Sequence, residues 1–291
     1  MKSVNLLLCL IILLPGFVLG SNPPYTEYVN PFIGTSGHGH TFPGASTPMG
    51  LVQVGPDTGL EGWDWSSGYH YSDSSIMGFS HTHLSGTGVG DLADVMLMPT
   101  TGLVNLKPGS KENPDAGYRS RFDHGNEKAR PGYYSVFLKD YNIQTEMTAT
   151  GHCGMHRYTF PDSRKSNVII DLFHGIRSYV MKARITVVDN QTIVGYRISS
   201  GWADLQPVYF VMKFSRPFER FGTAINNNLL WGIKDARNAH TSEANIKGAV
   251  RFDTKEGEKI LVKVGISTTS IDNARENLKA EISGWNFEGV K

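Results

Sequence analysis

Alternation of apolar and polar residues runs through most of this chain and constrains its fold more than any other feature. Between about Tyr25 and Ser270, runs rich in β-branched and aromatic residues are separated by turn signals: Tyr133 to Leu138, Ile143 to Ala149, Val168 to Phe173, Ile193 to Ile198, Val208 to Phe214 and Ile260 to Ile266. A period of two is the pattern of strands, and almost no stretch has a helical period. The sequence therefore predicts an all-β fold, a large two-sheet antiparallel β-sandwich.

Two polar segments between predicted strands carry turn signals. Asp189-Asn190, which lies between Val187-Val188 and Thr192-Ile193, predicts a tight two-residue hairpin turn. Lys255-Glu256-Gly257 predicts a second hairpin. Both turns fit an antiparallel arrangement of the strands that flank them.

The alternation gives way to a helical pattern at the end of the chain. Asn273 followed three residues later by Glu276 predicts a capped helix start. Four apolar residues then share one helical face: Ala274, Leu278, Ile282 and Trp285. We expect residues 271–291 to form a linker helix that introduces a following domain. Leu278, Ile282 and Trp285 should then be partly exposed, because no later residue of this chain could cover them.

The first twenty residues have the composition of an export signal. Lys2 is followed by the apolar run Val4 to Leu14, and Val18-Leu19-Gly20 supplies small residues for cleavage. A membrane anchor is the alternative, but the run is short and Pro15-Gly16 interrupts it. We expect residues 1–20 to be a signal peptide, residues 21–270 to be the sandwich, and the protein to be exported, either periplasmic or secreted, with no membrane span after cleavage.

Net charge and cysteine content limit the partners of the exported chain. The formal net charge is +1, and Lys2 is the only charged residue of the signal segment, so cleavage leaves a neutral protein. A neutral chain has no electrostatic preference for nucleic acid or an anionic membrane. Cys153 is the one cysteine after residue 20, which excludes an intramolecular disulfide bond.

Residues 34 to 91 interrupt the strand pattern with a long segment rich in Gly, His, Ser and Thr. Long irregular segments in a compact domain are usually functional. Three clusters stand out: Gly37 to Gly44, Trp63 to Asp73, and Phe79 to Gly88 followed by Asp91 and Asp94. The scattered carboxylates of this region have no diagnostic catalytic spacing, and Ser66, Ser80 and Ser85 show no nucleophile-elbow pattern.

The histidines and tryptophans of these clusters each allow two interpretations. The two His-x-His pairs, His38/His40 and His81/His83, could bind zinc, but they match no specific zinc spacing. We favour the alternative that most of them hydrogen-bond the backbone of a rigid, Gly-rich platform. Trp63-Asp64-Trp65 offers aromatic faces for the C–H face of a sugar and a carboxylate for its hydroxyls. Burial of one Trp in the core is the equally weighted alternative.

Read in order, these motifs resemble the opening of glycoside hydrolase family 92. The matching segments are Tyr28 to Thr35, His38 to Ala45, Pro48 to Gly50, Val54 to Asp57, Trp63 to Asp73 and Gly78 to Gly90. The resemblance is dense over residues 28–99 and looser to about residue 270. One small departure is Ser66, where many members carry a cysteine.

The resemblance implies an exo-acting, calcium-dependent, inverting α-mannosidase that acts on mannosides and N-glycans. Its members have an N-terminal β-sandwich, a linking helix and a C-terminal six-hairpin α/α barrel, with the cleft between the two domains. The barrel supplies the catalytic acid and base and most calcium ligands, so we assign no catalytic residue and no metal ligand in this chain. The sandwich offers loops to the terminal mannose, which maps substrate binding onto Trp63, Asp64, Trp65, His81 and His83.

Three functions stay open at this point. The first is half of an α-mannosidase cleft, inactive without the missing barrel domain as partner, in a truncated gene, a split enzyme or a fragment. The second is a stand-alone carbohydrate-binding module that holds α-mannoside glycans by itself. The third is a structural domain whose loops only support a barrel. In each case we expect the Gly34 to Asp94 loops to converge on one face and bring Trp63, Trp65, His81 and His83 together.

Overall fold

The structure, a computed structural model, describes residues 24–238 and 245–291. The described residues form nineteen strands and two helices. The strands are β1 (Ala45–Ser46), β2 (Gln53–Asp57), β3 (Ser75–Ile76), β4 (Gly78–Ser80), β5 (Met96–Thr101), β6 (Ser120–Arg121), β7 (Lys128–Arg130), β8 (Tyr133–Leu138), β9 (Ile143–Ala149), β10 (Cys153–Phe160), β11 (Ser163–Asp171), β12 (Tyr179–Val187), β13 (Thr192–Ser200), β14 (Gln206–Phe214), β15 (Arg220–Ile225), β16 (Asn228–Trp231), β17 (Asp235–Arg237), β18 (Ile246–Thr254) and β19 (Glu258–Ser267). The helices are α1 (Ile271–Glu281) and α2 (Phe287–Val290).

Two large antiparallel sheets build the domain. Sheet 1 has eight strands in the order β1-β2-β4-β5-β11-β18-β15-β16, and sheet 2 has nine in the order β17-β12-β13-β14-β19-β10-β9-β8-β7. The short strands β3 and β6 pair separately. The fold class predicted from the alternating pattern, an all-β antiparallel sandwich, is confirmed. Five of the six apolar runs that carried this prediction lie within a strand, and the sixth, Val168 to Phe173, runs two residues past the end of β11.

The main core lies between the two sheets, where their inward-facing apolar residues meet. Phe79, Met98 and Ile169 of sheet 1 and Phe210 and Val264 of sheet 2 are fully buried there. Removing such side chains from water contributes about 1.5–3 kcal/mol each, which offsets the entropy cost of ordering the strands. This core fixes the ends of β2, β4 and β5, and with them the loops of residues 34–94.

Of the two predicted hairpins, one forms with a longer loop than predicted, and the other is wrong. Strands β12 and β13 pair around Asp189-Asn190, with Val187 opposite Ile193, so the loop is longer than the predicted two residues. Lys255-Glu256-Gly257 instead carries the chain from β18 in sheet 1 to β19 in sheet 2. The turn signal was present, but the flanking strands pair with β11 and β10 rather than with each other.

The C-terminal helix begins at Ile271 and packs against the outer face of sheet 2. Ser270, not Asn273, is its N-cap, since the Ser270 hydroxyl accepts a hydrogen bond from the Asn273 N–H. Leu278 and Ile282 are buried with Met155 and Val211 of the sheet. The expectation that these helix residues stay exposed is therefore wrong for Leu278 and Ile282. They find their cover in the sandwich itself.

Polar contacts hold this helix as firmly as its apolar face. The Lys263 ammonium donates to the carbonyl oxygens of Ile282, Ser283 and Gly284, which satisfies the C-terminal end of the helix. Glu281 accepts from the Thr150 hydroxyl and the His152 backbone N–H. Trp285, which keeps 36% of its surface exposed, is the one member of the predicted stripe that remains partly accessible.

No helix among residues 24–238 and 245–291 is long and apolar enough to cross a bilayer. The predicted signal peptide, residues 1–20, lies outside the described residues.

Candidate functional site

Trp63 is the more exposed of the two tryptophans in the motif-rich loops. Its indole is 52% exposed, although it is held on two sides. A Cβ on Gly88 would lie 2.5 Å from its Nε1, so only glycine lets the 82–90 loop approach this closely. The Ser66 hydroxyl donates to the Trp63 carbonyl over 2.6 Å, fixing the turn that presents the ring. Ser66, the departure from the family pattern, thus has a local structural role.

Two histidines and a carboxylate surround the inner edge of Trp63. The ring centroids of His38 and His40 lie 5.0 and 4.2 Å from that of the indole. His38 Nδ1 lies 2.6 Å from Asp64 Oδ1, and His40 Nε2 lies 3.8 Å from the same oxygen. The hydrogen bond from His38 lowers the pKa of Asp64, so this carboxylate is ionised and accepts hydrogen bonds at neutral pH. We call Trp63, Asp64, His38 and His40 the Trp63 cluster.

His40 carries two signs of a binding position. Its φ of 54° places a non-glycine residue in the left-handed region, which costs conformational energy. Its side chain is 6% exposed, and Nε2 has no hydrogen-bond partner. A buried ring nitrogen without a partner costs about 1–3 kcal/mol, so the fold holds His40 here at an energetic cost.

Trp65 is held by internal contacts. Its Nε1 donates to Asp73 Oδ2 over 2.6 Å. The Lys111 ammonium lies 3.5 Å from the centroid of its ring and forms an ion pair with Asp73 Oδ1 at 2.9 Å. One edge and one face of Trp65 are therefore engaged, and Trp63 is the tryptophan with free surface.

His81 lies between the two sheets, away from solvent. Its Nδ1 donates to the Val95 carbonyl over 2.6 Å, which leaves Nε2 to accept from His156 Nε2 at 3.0 Å. His156 Nδ1 in turn accepts from the Tyr158 hydroxyl. Burial lowers the pKa of His81 to about 4 and also holds the pKa of His156 well below its usual value, so both rings are neutral at pH 7.

His83 is equally buried and belongs to a different network. Its Nδ1 donates to the Gln53 carbonyl over 2.6 Å, and its Nε2 lies 3.0 Å from Asp57 Oδ1. Its ring stacks on Phe42, with centroids 4.5 Å apart. The interpretation of these histidines as backbone-bonding residues of a rigid platform is confirmed for His81 and His83.

The same burial corrects the expectation that all four ring residues share one face. A sugar resting on Trp63 could not touch His81, which packs against Gly154 of sheet 2. The loops themselves do meet, since the Gly86 N–H donates to the His40 carbonyl over 2.7 Å. The loops around Trp63 therefore meet as expected. His81 does not join them, because the His81 backbone is hydrogen-bonded inside the sandwich.

Asp57 and His174 form the part of the platform that sequence reasoning missed. Burial raises the pKa of Asp57, but His83 and His174, each about 3 Å from one carboxylate oxygen, outweigh that effect and lower it well below the usual range. A Cβ on Gly68 would lie 2.3 Å from Asp57 Oδ1. The Val54 to Asp57 motif was the available signal, but nothing in sequence linked it to His174, 117 residues later.

Two other carboxylates of the region, Asp91 and Asp94, are engaged in the framework. Asp94 forms a buried ion pair with Arg197 and accepts from the Thr82 hydroxyl over 2.6 Å. Asp91 accepts from the Trp202 N–H and the Gln206 amide. Within residues 24–238 and 245–291, no three His, Cys, Asp or Glu side chains are grouped in a way that could hold a metal ion. These carboxylates position loops, and none is paired with a second free carboxylate.

Comparison with known proteins identifies the relatives of this chain. A family model described as the glycosyl hydrolase family 92 N-terminal domain matches residues 28–267. A family GH92 α-mannosidase from Bacteroides thetaiotaomicron, solved in complex with mannoimidazole, is 39% identical with a TM-score of 0.86 over 91% of this chain and 35% of its own. A family GH92 inverting mannosidase from Bacteroides thetaiotaomicron VPI-5482 is 28% identical with a TM-score of 0.76 over 91% of this chain and 34% of its own.

A curated relative extends the comparison beyond solved structures. An uncharacterized secreted glycosidase of Arthroderma benhamiae is 28% identical over 91% of this chain and 36% of its own length. This chain therefore spans about a third of the length of the relatives it matches.

Proposed function

Since this chain belongs to the glycosyl hydrolase family 92 N-terminal domain family, we propose that it is the carbohydrate-facing sandwich of an exported, exo-acting α-mannosidase. The chain corresponds to about a third of each relative, so the activity is a property we assign to the sandwich together with a barrel domain. In this proposal the Trp63 cluster forms one wall of the mannoside-binding cleft.

The exposed face of Trp63 carries the proposal. A pyranose has an apolar C–H face that packs on an indole, and hydroxyls at its edge that need polar partners. Trp63 offers the first, with 52% of its surface free. The Asp64 carboxylate, with 30% of its side chain exposed, offers the second beside the exposed ring of His38.

Catalysis and calcium binding are assigned to the partner domain. Inverting hydrolysis needs an acid and a separate base about 6.5–9.5 Å apart. Calcium needs about six to eight oxygen ligands. Among the carboxylates of the loops, Asp94, Asp73 and Asp91 are tied to Arg197, Trp65 and backbone groups, and no three His, Cys, Asp or Glu side chains of the described residues are grouped in a way that could hold a metal ion. The described residues thus do not fit a complete calcium site, and no hydrolytic step is derived from them.

A stand-alone carbohydrate-binding module is the second candidate. The observation that favours it is the packing of helix α1 on the sandwich, which buries Leu278 and Ile282. The apolar outer surface of sheet 2 at this helix is thus covered by residues of the same chain. Under this candidate the chain by itself would bind α-mannosides with an affinity that a barrel does not improve.

Hydrolysis assays separate these candidates. We expect the purified chain to release no mannose from an α-linked mannobiose, with or without calcium, and calcium-dependent release to appear when a separately produced family 92 barrel domain is added. Turnover by the chain alone would overturn the proposal. Tight binding by the chain that the barrel leaves unchanged would favour the binding module.

Binding assays with two tryptophan variants test the role of Trp63. Trp63→Ala should weaken binding of methyl α-mannoside about fivefold, the effect of one aromatic contact of about 1 kcal/mol. Trp231→Ala is the matched control, because Trp231 lies on β16 between Arg220 and Arg251, at the far edge of sheet 1. Equal weakening by both variants would contradict the assignment.

A further inference from the structure

The most exposed tryptophan of the chain lies in the turn between β13 and β14. Trp202 keeps 69% of its surface in solvent, more than Trp63 does. Tyr179, which is 51% exposed, begins β12 opposite Ser200, the last residue of β13. The two aromatic side chains therefore lie at the same end of sheet 2. We call Trp202 and Tyr179 the Trp202 surface.

Asp91 fixes the turn that carries Trp202. This buried carboxylate accepts from the Trp202 N–H over 3.0 Å and from the Gln206 amide over 2.6 Å. A Cβ on Gly201 would lie 2.3 Å from Asp91 Oδ1, so a larger residue at this position would push the carboxylate aside. The turn is thus held in one position before any ligand arrives, which reduces the entropy lost on binding.

The segment that follows Asp91 adopts a costly backbone conformation. Leu92, Ala93 and Val95 all have positive φ, between 54° and 69°, which is unfavourable for residues with a Cβ. Such conformations persist where surrounding contacts impose them, and they cluster at ligand-binding positions. The Ile176 N–H donates to the Leu92 carbonyl over 3.1 Å, so the loop before β12 is tied to the same segment. Trp202 and Tyr179 are therefore both positioned by this segment.

The same loop connects the Trp202 surface to the Trp63 cluster. Gly88 packs against the Trp63 indole, and Asp91 binds the Trp202 turn. Gly88 and Asp91 are three positions apart, so their Cα atoms lie within about 11 Å of each other. Two exposed tryptophans thus border one short stretch of chain, at a separation that a short oligosaccharide can span.

Polar groups that suit sugar hydroxyls flank the Trp202 surface. Arg177 and Asp204 are exposed, and neither forms an ion pair within the two ranges that the structure describes. Arg177 lies beside the loop, since a Cβ on Gly90 would be 3.2 Å from its Cδ. A guanidinium donates hydrogen bonds and a carboxylate accepts them, whereas a hydroxyl does both. Unpaired charges beside aromatic faces favour a sugar over a protein domain, because protein interfaces are depleted of charge at their centre.

We propose that the Trp202 surface contacts the part of an α-mannoside glycan that lies beyond its terminal mannose. The inference rests on the proposed function, in which the Trp63 cluster receives the terminal residue. It adds a preference for substrate length. The affinity of this sandwich rises with the number of sugar residues until the glycan reaches Trp202.

Titrations of the full chain with methyl α-mannoside and with a linear α-linked mannotetraose, followed by backbone amide NMR shifts, test the inference. We expect the tetraose to bind about fivefold more tightly, with shifts at Gly201 and Ala203 that methyl α-mannoside does not cause. Trp202→Ala should abolish this difference without weakening methyl α-mannoside. Trp285→Ala removes another partly exposed tryptophan, beside helix α1, and should leave the fivefold difference intact.

The two ligands let the two proposals fail separately. Unchanged methyl α-mannoside binding in Trp63→Ala would contradict the proposed function, whereas equal affinity of the unaltered chain for both ligands would overturn the length preference. A fivefold difference that survives in Trp202→Ala would also overturn it. If Trp202→Ala weakened only the association with a separately produced family 92 barrel domain, the Trp202 surface would be a protein contact and the inference would be wrong.

Discussion

The two His-x-His pairs of this chain have the same pattern and opposite positions. His38 and His40 lie beside the exposed Trp63, and His38 keeps 72% of its side chain in solvent. His81 and His83 are fully buried and bonded to backbone carbonyls and to other side chains. The first pair borders a surface on which a ligand can rest, and the second holds the sheets together.

Backbone pairing explains the difference. The His81 N–H donates to the Asp94 carbonyl and its carbonyl accepts from the Gln53 N–H, so this residue continues the pairing of sheet 1 into the core. His40 follows a turn closed by the Gly39 N–H and the Ser36 carbonyl, outside both sheets. Residue type alone therefore does not separate a binding position from a structural one, whereas hydrogen bonding of the main chain does.

The largest expected contrast is between Asp57 and Asp64, the carboxylates that serve the buried and the exposed pair. Asp57→Ala would leave His83 and His174 buried without their partner, and we expect a loss of about 3–5 kcal/mol in the free energy of unfolding. Asp64→Ala should leave that free energy unchanged and weaken mannoside binding. Chemical denaturation of both variants measures the contrast.

A small effect of Asp57→Ala would break the comparison. It would mean that His83 and His174 find water or other hydrogen-bond partners in the variant. The buried pair His81/His83 would then contribute less to stability than its burial indicates. Circular dichroism of the variant before denaturation establishes that the sandwich is still formed when the measurement begins.

The next contrast is pH dependence. The folded pKa of His81, lowered from 6.5 to about 4 by burial, means that the unfolded chain takes up a proton first as the pH falls. Stability from this histidine is thus complete above pH 6.5 and is lost toward pH 4, by roughly 2 kcal/mol between about pH 7 and about pH 5. Burial also lowers the pKa of His156, so this residue acts in the same direction. Asp57, with its lowered pKa, loses its contribution only below about pH 3.8.

His156→Gln and His38→Gln sharpen this contrast. Removing His156 should reduce the loss of unfolding free energy between about pH 7 and about pH 5 by roughly 2 kcal/mol, because one buried neutral histidine is gone. His38→Gln, at an exposed position, should leave the slope unchanged. If the unfolding free energy fell equally with pH in the two variants, the buried His81 and His156 would not govern the loss of stability in acid.

How far sequence predicts this molecule depends on the range of the interactions. Tyr133 to Leu138 and Ile143 to Ala149 predict β8 and β9 residue for residue, because alternation is a local property. The Lys255 to Gly257 turn was misassigned because its strands join different sheets, which only long-range pairing decides. Leu278 and Ile282 were expected to be exposed, whereas they pack on Met155 and Val211 of sheet 2. The alternating pattern does not show that the outer face of this sheet carries an apolar surface for the helix.

The candidate site follows the same rule. Trp63 and Asp64 were predictable as sugar-binding groups from their chemistry and neighbouring positions, and their role stays a prediction. Nothing local distinguished them from His81 and His83, which the sheets bury. Asp57 and His174 lie 117 residues apart in the chain, and a single sequence carries no signal for such a contact.

The smallest expected effect concerns His40 and decides whether the first pair is a binding element. His40→Asn keeps a residue that tolerates the positive φ at this position but withdraws the ring nitrogen from Asp64. We expect methyl α-mannoside binding to weaken about fivefold, the effect of ~1 kcal/mol, because the Trp63 ring loses the His40 ring that packs against it, with the melting temperature unchanged. His83→Asn is the counterpart and should lower the melting temperature, because Asp57 and the Gln53 carbonyl would lose a buried donor. Titrations of both variants, each compared with Trp63→Ala, measure the effect. If His40→Asn binds as the unaltered chain does while Trp63→Ala does not, His40 takes no part in binding, and the mannoside surface narrows to Trp63 and Asp64.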